Sequence, residues 1–233
     1  MLPMATVPGQ GPAPHQSPHQ APHQAPQLLR DAPRAFWVTL LLVVATTAQL
    51  AVATFATGLP QFEGKAFGSR LVFYPLMMIA PVLAWWGVAR RRRSSSPLPW
   101  TAFACVCAPF FIDVTGNTLD LYDTLVWWDD LNHFVNWFLL CLGIGLMLTR
   151  TSVRPPWALG ALVAGIGAVL AISWELAEWY TFIRHGTELN TAYTDTLGDE
   201  GLGMLGGAFA GLLLAWREAR PRRPGRQVPQ KVR

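Results

Sequence analysis

Charged side chains are scarce in this sequence. Lysine, arginine, aspartate and glutamate make up 14% of the 233 residues, whereas 52% are hydrophobic, and the mean hydropathy is positive. Soluble globular domains carry about 25% charged residues, so the composition excludes an ordinary soluble protein. It is typical of a protein that spans a membrane.

Cysteine is also rare, and the common catalytic motifs are missing. The three cysteines, Cys105, Cys107 and Cys141, fall inside apolar runs, which predicts buried thiols and no disulfide framework. The sequence has no serine-nucleophile motif, no phosphate-binding glycine loop and no dinucleotide fingerprint. Any chemistry must therefore rest on other residues.

Long apolar runs recur along most of the chain. Each is near the roughly 20 residues that cross a bilayer as a helix: 36–58, 71–89, 100–119, 131–149, 157–180 and about 200–216. The first run is longer than a signal-peptide core, so we expect a retained helix. The predicted fold class is all-α, a polytopic membrane protein with a bundle of six transmembrane helices.

The two ends of the chain differ from this apolar part. Residues 1–34 repeat proline, histidine and glutamine and have no apolar face to bury, which predicts a disordered tail. Residues 35–217 form the expected transmembrane domain, and residues 218–233 form a basic tail. Within the last apolar run, Gly203, Gly207 and Gly211 recur every four residues, which predicts close packing against another helix.

Basic residues are distributed unequally between the two sides. Of the 18 lysines and arginines, only Lys65, Arg70 and Arg184 map to one side of a six-helix topology. Because basic residues collect in the cytoplasm, we expect both termini to be cytoplasmic.

Polar residues cluster at the outer ends of four predicted helices. Residues three or four apart share one face of a helix, and this spacing links Asp113 with Asn117 and Asp120, Asp129 with His133, Glu175 with Glu178, and Asp195 with Asp199. Charged groups in lipid are costly, so we expect these side chains to meet in the bundle interior or in a water-filled cleft.

The expected cluster has too little positive charge to balance its acids. Ten carboxylates in this region meet one nearby arginine, Arg184. Repulsion between carboxylates must then be relieved by protonation, by water or by a bound cation. A hydrogen-bonded network that only holds the helices together is the structural alternative.

Short motifs at these positions resemble a known family, the YjdF-like predicted bacterial inner-membrane proteins. They are Asp129 with the His-Phe at 133–134, the Glu-x-x-Glu-Trp at 175–179, and the Asp-Thr-x-x-Asp at 195–199. The similarity covers roughly residues 60 to 216. More loosely, the sequence is similar to the VanZ-like membrane proteins. Neither resemblance implies an established reaction, but both favour a single site that contains the acids and His133.

These residues suggest a metal centre on the extracytoplasmic side. The candidate ligands combine carboxylates with one imidazole, a set that suits Mg²⁺, Mn²⁺ or Zn²⁺: Asp129, His133, Glu175, Glu178, Asp195 and Asp199. Asp113 and Asn117 would lie alongside. The candidate catalytic residues are His133, Glu175 and Glu178, as ligands or as an acid/base pair.

The expected partner is membrane lipid, with a lipid or lipid-linked substrate, and not nucleic acid. A proton- or cation-coupled transporter is the alternative that uses the same acids, although the inner halves of the helices carry almost no ionisable residues. A structural or assembly factor is a further alternative, and whether the protein is an enzyme stays open.

Overall fold

The computed structural model describes residues 32–56, 58–93, 97–181, 183–185 and 191–221. The expected tails, 1–34 and 218–233, lie largely outside these ranges, so their assignment stays a prediction. Within the described ranges every regular element is helical: α1 (Ala32–Phe55), α2 (Phe67–Arg91), α3 (Trp100–Thr118), α4 (Leu121–Thr124), α5 (Trp128–Leu148), α6 (Pro156–Thr181) and α7 (Ala192–Ala219), with short 3₁₀ turns at Pro60–Phe62 and Ile183–His185.

Most of the long helices can cross a bilayer. By length and composition, five of the described helices qualify, namely α1, α2, α5, α6 and α7. The remaining long helix, α3, has 19 residues and includes Asp113 and Asn117, and such polar side chains lower its hydropathy. It packs against α1 and α5, and both side chains line a cavity between the helices. The all-α, polytopic membrane fold class is confirmed.

Small residues bring α6 and α7 into close contact. A Cβ atom added at Gly207 would lie 3.1 Å from the Cα of Gly167, and one added at Gly211 would collide with the backbone oxygen of Gly160. Gly203 is similarly tight, because a Cβ there would lie 2.7 Å from the ring of Trp137. The predicted close-packing seam of Gly203, Gly207 and Gly211 is thus confirmed, with α6 and α5 as the helices it packs against.

Two helix ends near the acids bear on the sequence prediction. Helix α7 begins at Ala192 and not near residue 200, because polar residues that face a pocket can extend a membrane helix beyond its apolar run. Helix α3 ends at Thr118, and Asp120 has a left-handed backbone with φ 57°. The expectation that Asp120 shares a helical face with Asp113 is therefore wrong.

Candidate functional site

A cavity of about 420 Å³ opens between the helix ends at one side of the bundle. We call it the polar pocket. It is lined by residues from α2 through α7, and its lining includes all eight residues that the sequence analysis grouped: Asp113, Asn117, Asp129, His133, Glu175, Glu178, Asp195 and Asp199. The pocket brings the ends of these helices into one shared space.

His133 lies among three carboxylates from three helices. Its Nε2 is 3.6 Å from an oxygen of Asp129 and 3.7 Å from an oxygen of Asp199. Its Nδ1 is 3.8 Å from an oxygen of Glu175, and this buried nitrogen has no hydrogen-bond partner among the described residues. All three distances exceed those of a direct hydrogen bond.

The spacing around Nε2 fits a bridging cation. Ligand atoms of Asp129, His133 and Asp199 all lie within 4.8 Å of one another. With metal–ligand distances of about 2.0–2.2 Å, two ligand atoms in a tetrahedral site are roughly 3.3–3.6 Å apart. The two distances from Nε2, 3.6 Å to Asp129 and 3.7 Å to Asp199, are close to that range. Glu175, with a side chain only 4% exposed, lies beside the opposite ring nitrogen, where a carboxylate commonly orients a metal-binding histidine.

Besides Glu175, two more of the candidate ligands lie outside this three-residue group. Glu178 faces Arg70, with an oxygen of Glu178 3.8 Å from Nη2 of the guanidinium. Asp195 lines the pocket from the first turn of α7 and is exposed. The structure therefore places Glu178 and Asp195 in the pocket wall and does not group them with Asp129, His133 and Asp199 as ligands.

Hydrogen bonds to the carboxylate of Asp113 connect α2, α3 and α4, and both carboxylate oxygens have partners. The carboxylate accepts from the hydroxyl of Tyr74 at 2.8 Å, from the hydroxyl of Tyr122 at 2.9 Å and from Nη1 of Arg70 at 3.1 Å. Asn117 donates to the backbone oxygen of Asp113 at 3.0 Å. Burial and the nearby charge of Asp113 raise the pKa of Tyr122, so its phenol stays protonated as a donor.

Arg70 and Lys65 supply the positive charge of the pocket. The expectation that Arg184 is the one arginine near the acids is wrong, because Arg70 lines the pocket and binds Asp113 at 3.1 Å. The described lining does not include Arg184, whose guanidinium lies 3.8 Å from the ring centre of Tyr180. Lys65 binds Asp123 at 2.7 Å, and this hydrogen bond lowers the pKa of the Asp123 carboxyl. Sequence reasoning recorded both cations as external but did not connect them with the acids.

Several other pocket residues were missed by the sequence analysis. On α5, Nδ2 of Asn136 donates to Oδ1 of Asn132 at 3.2 Å, and both residues line the pocket. Their spacing from Asp129, three and seven residues on, was a detectable signal of one polar helix face. Tyr74 and Tyr122 had no such signal, because only the fold brings them to Asp113.

A comparison with known families identifies the chain. The model of a family described as a predicted membrane protein, DUF2238, matches residues 35–220, a range that includes all eight grouped residues. No curated protein and no solved structure matches the chain significantly. The matched range covers most of the sequence and agrees with the all-helical membrane fold. The chain therefore belongs to the DUF2238 family of predicted membrane proteins.

Proposed function

We propose that this integral membrane protein binds a divalent cation at Asp129, His133 and Asp199 and uses it on a lipid or lipid-linked substrate. In this proposal the protein lies in the inner membrane of a bacterium and the polar pocket opens on the extracytoplasmic side. The YjdF-like resemblance fits this placement but provides no reaction. The observation that carries the proposal is the convergence of two carboxylates on one nitrogen of a single imidazole.

The ligand set favours ions of intermediate hardness. Two carboxylates and an imidazole suit Zn²⁺ or Mn²⁺, and Mg²⁺ if waters complete the shell. The protein would provide three ligands, Asp129, His133 and Asp199. At least one coordination position would then stay open for water or substrate. Such a cation orients a phosphate group or activates a bound water for attack.

The proposed roles of the candidate catalytic residues then differ. With Nε2 on the cation, His133 would act as a ligand and not as an acid or base, and its single ring proton would be on Nδ1. The carboxylate of Glu175 lies 3.8 Å from Nδ1, the other ring nitrogen, and would orient the ring. Glu178 is the remaining candidate for acid/base chemistry, because it lines the pocket without belonging to the ligand group.

The depth of the pocket supports a binding or catalytic role over transport. Along α5 its described lining runs from Asp129 to Leu140 and no further. Eleven residues of helix span roughly 16 Å, which is about half of a hydrocarbon core near 30 Å thick. A transport path would need polar groups beyond this depth.

Elemental analysis of purified protein tests the metal proposal. Wild type, after loading with Zn²⁺ or Mn²⁺ and removal of free ion, should retain one equivalent per chain. Asp129→Asn and His133→Ala should each weaken retention by about tenfold or more, the usual effect of losing a ligand or its partner.

Asp130→Asn is the matched control, because Asp130 is the adjacent acid, is exposed and does not line the pocket. It should retain the metal like wild type. Wild-type protein without bound metal, or equal retention by Asp129→Asn and Asp130→Asn, would show that this cluster is not a metal centre.

A further inference from the structure

The polar pocket carries an excess of negative charge. Seven carboxylates line it, against two cations, Lys65 and Arg70. If all seven carboxylates were ionised and His133 were neutral, the formal charge would be 2 − 7 = −5, and protonation of the crowded acids or a divalent cation would reduce this excess. In either case the lining offers an anionic ligand no net attraction beyond the metal itself.

Both cations of the pocket are already engaged. Lys65 binds Asp123 at 2.7 Å, and Arg70 binds Asp113 at 3.1 Å. Neither is available as a free anchor for a phosphate unless it gives up a carboxylate. The other five lining carboxylates lie on α5, α6 and α7, on the side of the pocket that includes Glu175 and Asp199.

Aromatic rings form part of the pocket wall next to these acids. The rings of Tyr74 and Trp174 have centroids 5.9 Å apart, and Phe110 packs edge-on against Tyr74 at 4.9 Å. All three line the pocket. Ring faces attract an organic cation, more strongly where water is excluded, so the wall and the acids favour the same kind of ligand.

The lining changes from polar to apolar with depth on α3 and α5. On α3 it passes from Asp113 at the outer end to Phe110 and Pro109, and on α5 it passes from Asp129 to Leu140. A ligand with a charged head and an apolar stem matches this gradient, with its head among the acids and its stem toward the floor.

One buried acceptor in the lining lacks a donor. Asn136 lines the pocket, and its buried Oδ1 has no hydrogen-bond partner among the described residues. Buried acceptors without donors are costly, and an ammonium group brings donors to them.

We propose that the polar pocket receives an amphiphile with an ammonium head group, such as the amine-bearing head of a membrane lipid. This inference rests on the proposed function, because it names the substrate class of the same pocket. The metal binds at Asp129, His133 and Asp199, and the ammonium binds between the remaining acids and the aromatic wall.

Competition binding on purified full-length protein in a neutral detergent tests this inference. The labelled probe is decylammonium, and the competitors are unlabelled decylammonium, decyl phosphate and decanol, all with one chain length. With Zn²⁺ or Mn²⁺ present, unlabelled decylammonium should displace the probe at about tenfold lower concentration than the other two, a difference within the range of one cation–π contact.

Two variants locate the head group. Glu178→Gln should weaken probe binding severalfold while the metal content stays unchanged, and Glu63→Gln, the same change at an exposed loop residue outside the pocket, should have no effect. Asp195→Asn is a second test at an exposed position, where the substitution should not affect folding. It should also weaken probe binding, and its control, Asp130→Asn, should not.

The outcomes separate the two proposals. Equal or better competition by decyl phosphate, a second metal ion per chain in place of the probe, or probe binding only after metal removal would each overturn the ammonium site. Ammonium preference in a wild type that binds no metal would overturn the metal centre and leave the ammonium site standing.

Discussion

His133 and Asp113 show how two polar residues in one pocket take different roles. Asp113 accepts from two hydroxyls and a guanidinium at 2.8–3.1 Å, so its hydrogen-bonding capacity is used within the protein. His133 has carboxylates on both ring nitrogens at 3.6–3.8 Å, beyond hydrogen-bond distance. A polar group whose hydrogen bonds are all made within the protein stabilises the fold, whereas a polar group that lacks hydrogen-bond partners is available to a ligand.

Removing Asp113 should destabilise the protein strongly. Asp113→Ala leaves Arg70, whose side chain is 13% exposed, without its closest carboxylate, and breaking a buried pair costs about 3–5 kcal/mol. Tyr122→Phe removes one hydrogen bond and should cost about 1 kcal/mol. The free energy of unfolding in detergent measures both changes.

Tyr193→Phe is the control for the tyrosine change, because Tyr193 is 81% exposed; its effect should stay within about 0.5 kcal/mol. If Asp113→Ala unfolds like wild type, the carboxylate does not hold α2, α3 and α4 together.

Helix α7 connects the packing of the bundle with the pocket. Its glycines allow it to approach α6 closely, and its N-terminal turns then carry Asp195 and Asp199 to the pocket. A shift of α7 away from α6 would move Asp199 relative to Glu175 and His133. The seam therefore supports the site through the position of a whole helix.

Widening this seam should reduce stability. In Gly211→Ala the new Cβ would collide with the backbone oxygen of Gly160, which cannot move as a side chain can, and such overpacking costs about 1–3 kcal/mol. Gly165→Ala is the matched control on α6, because a Cβ there meets nothing within 4 Å; its stability should stay within about 1 kcal/mol of wild type. The melting temperatures of both variants in one detergent measure this difference. Equal melting temperatures would show that the seam tolerates a methyl group.

The whole molecule separates its charges between two sides. Acids and the polar pocket lie at one side, and the arginine-rich loop that follows α2 lies at the other. Because lysine and arginine are retained in the cytoplasm, the pocket side is expected to be extracytoplasmic.

Cysteine labelling in intact cells tests this orientation. In a chain whose three native cysteines are replaced, Glu63→Cys in the loop before α2 should react with a membrane-impermeant maleimide from outside. Arg92→Cys, directly after α2 and also exposed, should react only after the cells are permeabilised. The reverse pattern would invert the proposed topology.

Much of the fold could be predicted from the sequence because lipid imposes simple rules. Apolar runs of the right length must be helices, and five described helices qualify as spans on that basis. The boundary of α7 could not be predicted in this way, because the segment before residue 200 is polar and hydropathy does not identify it as helix. The helix starts at Ala192, and its acids line a pocket that only the other helices complete.

The sequence by itself determined the class of the protein, the depth of its polar residues and the spacing that places Asp129 and His133 on one face of a helix. These properties follow from local periodicity and from the cost of charge in lipid. Only the tertiary structure decided which acids meet. It brought Asp199 and Glu175 to opposite nitrogens of His133, and it paired Arg70 with Asp113 across 43 residues of sequence, because contacts between distant segments depend on how whole helices pack.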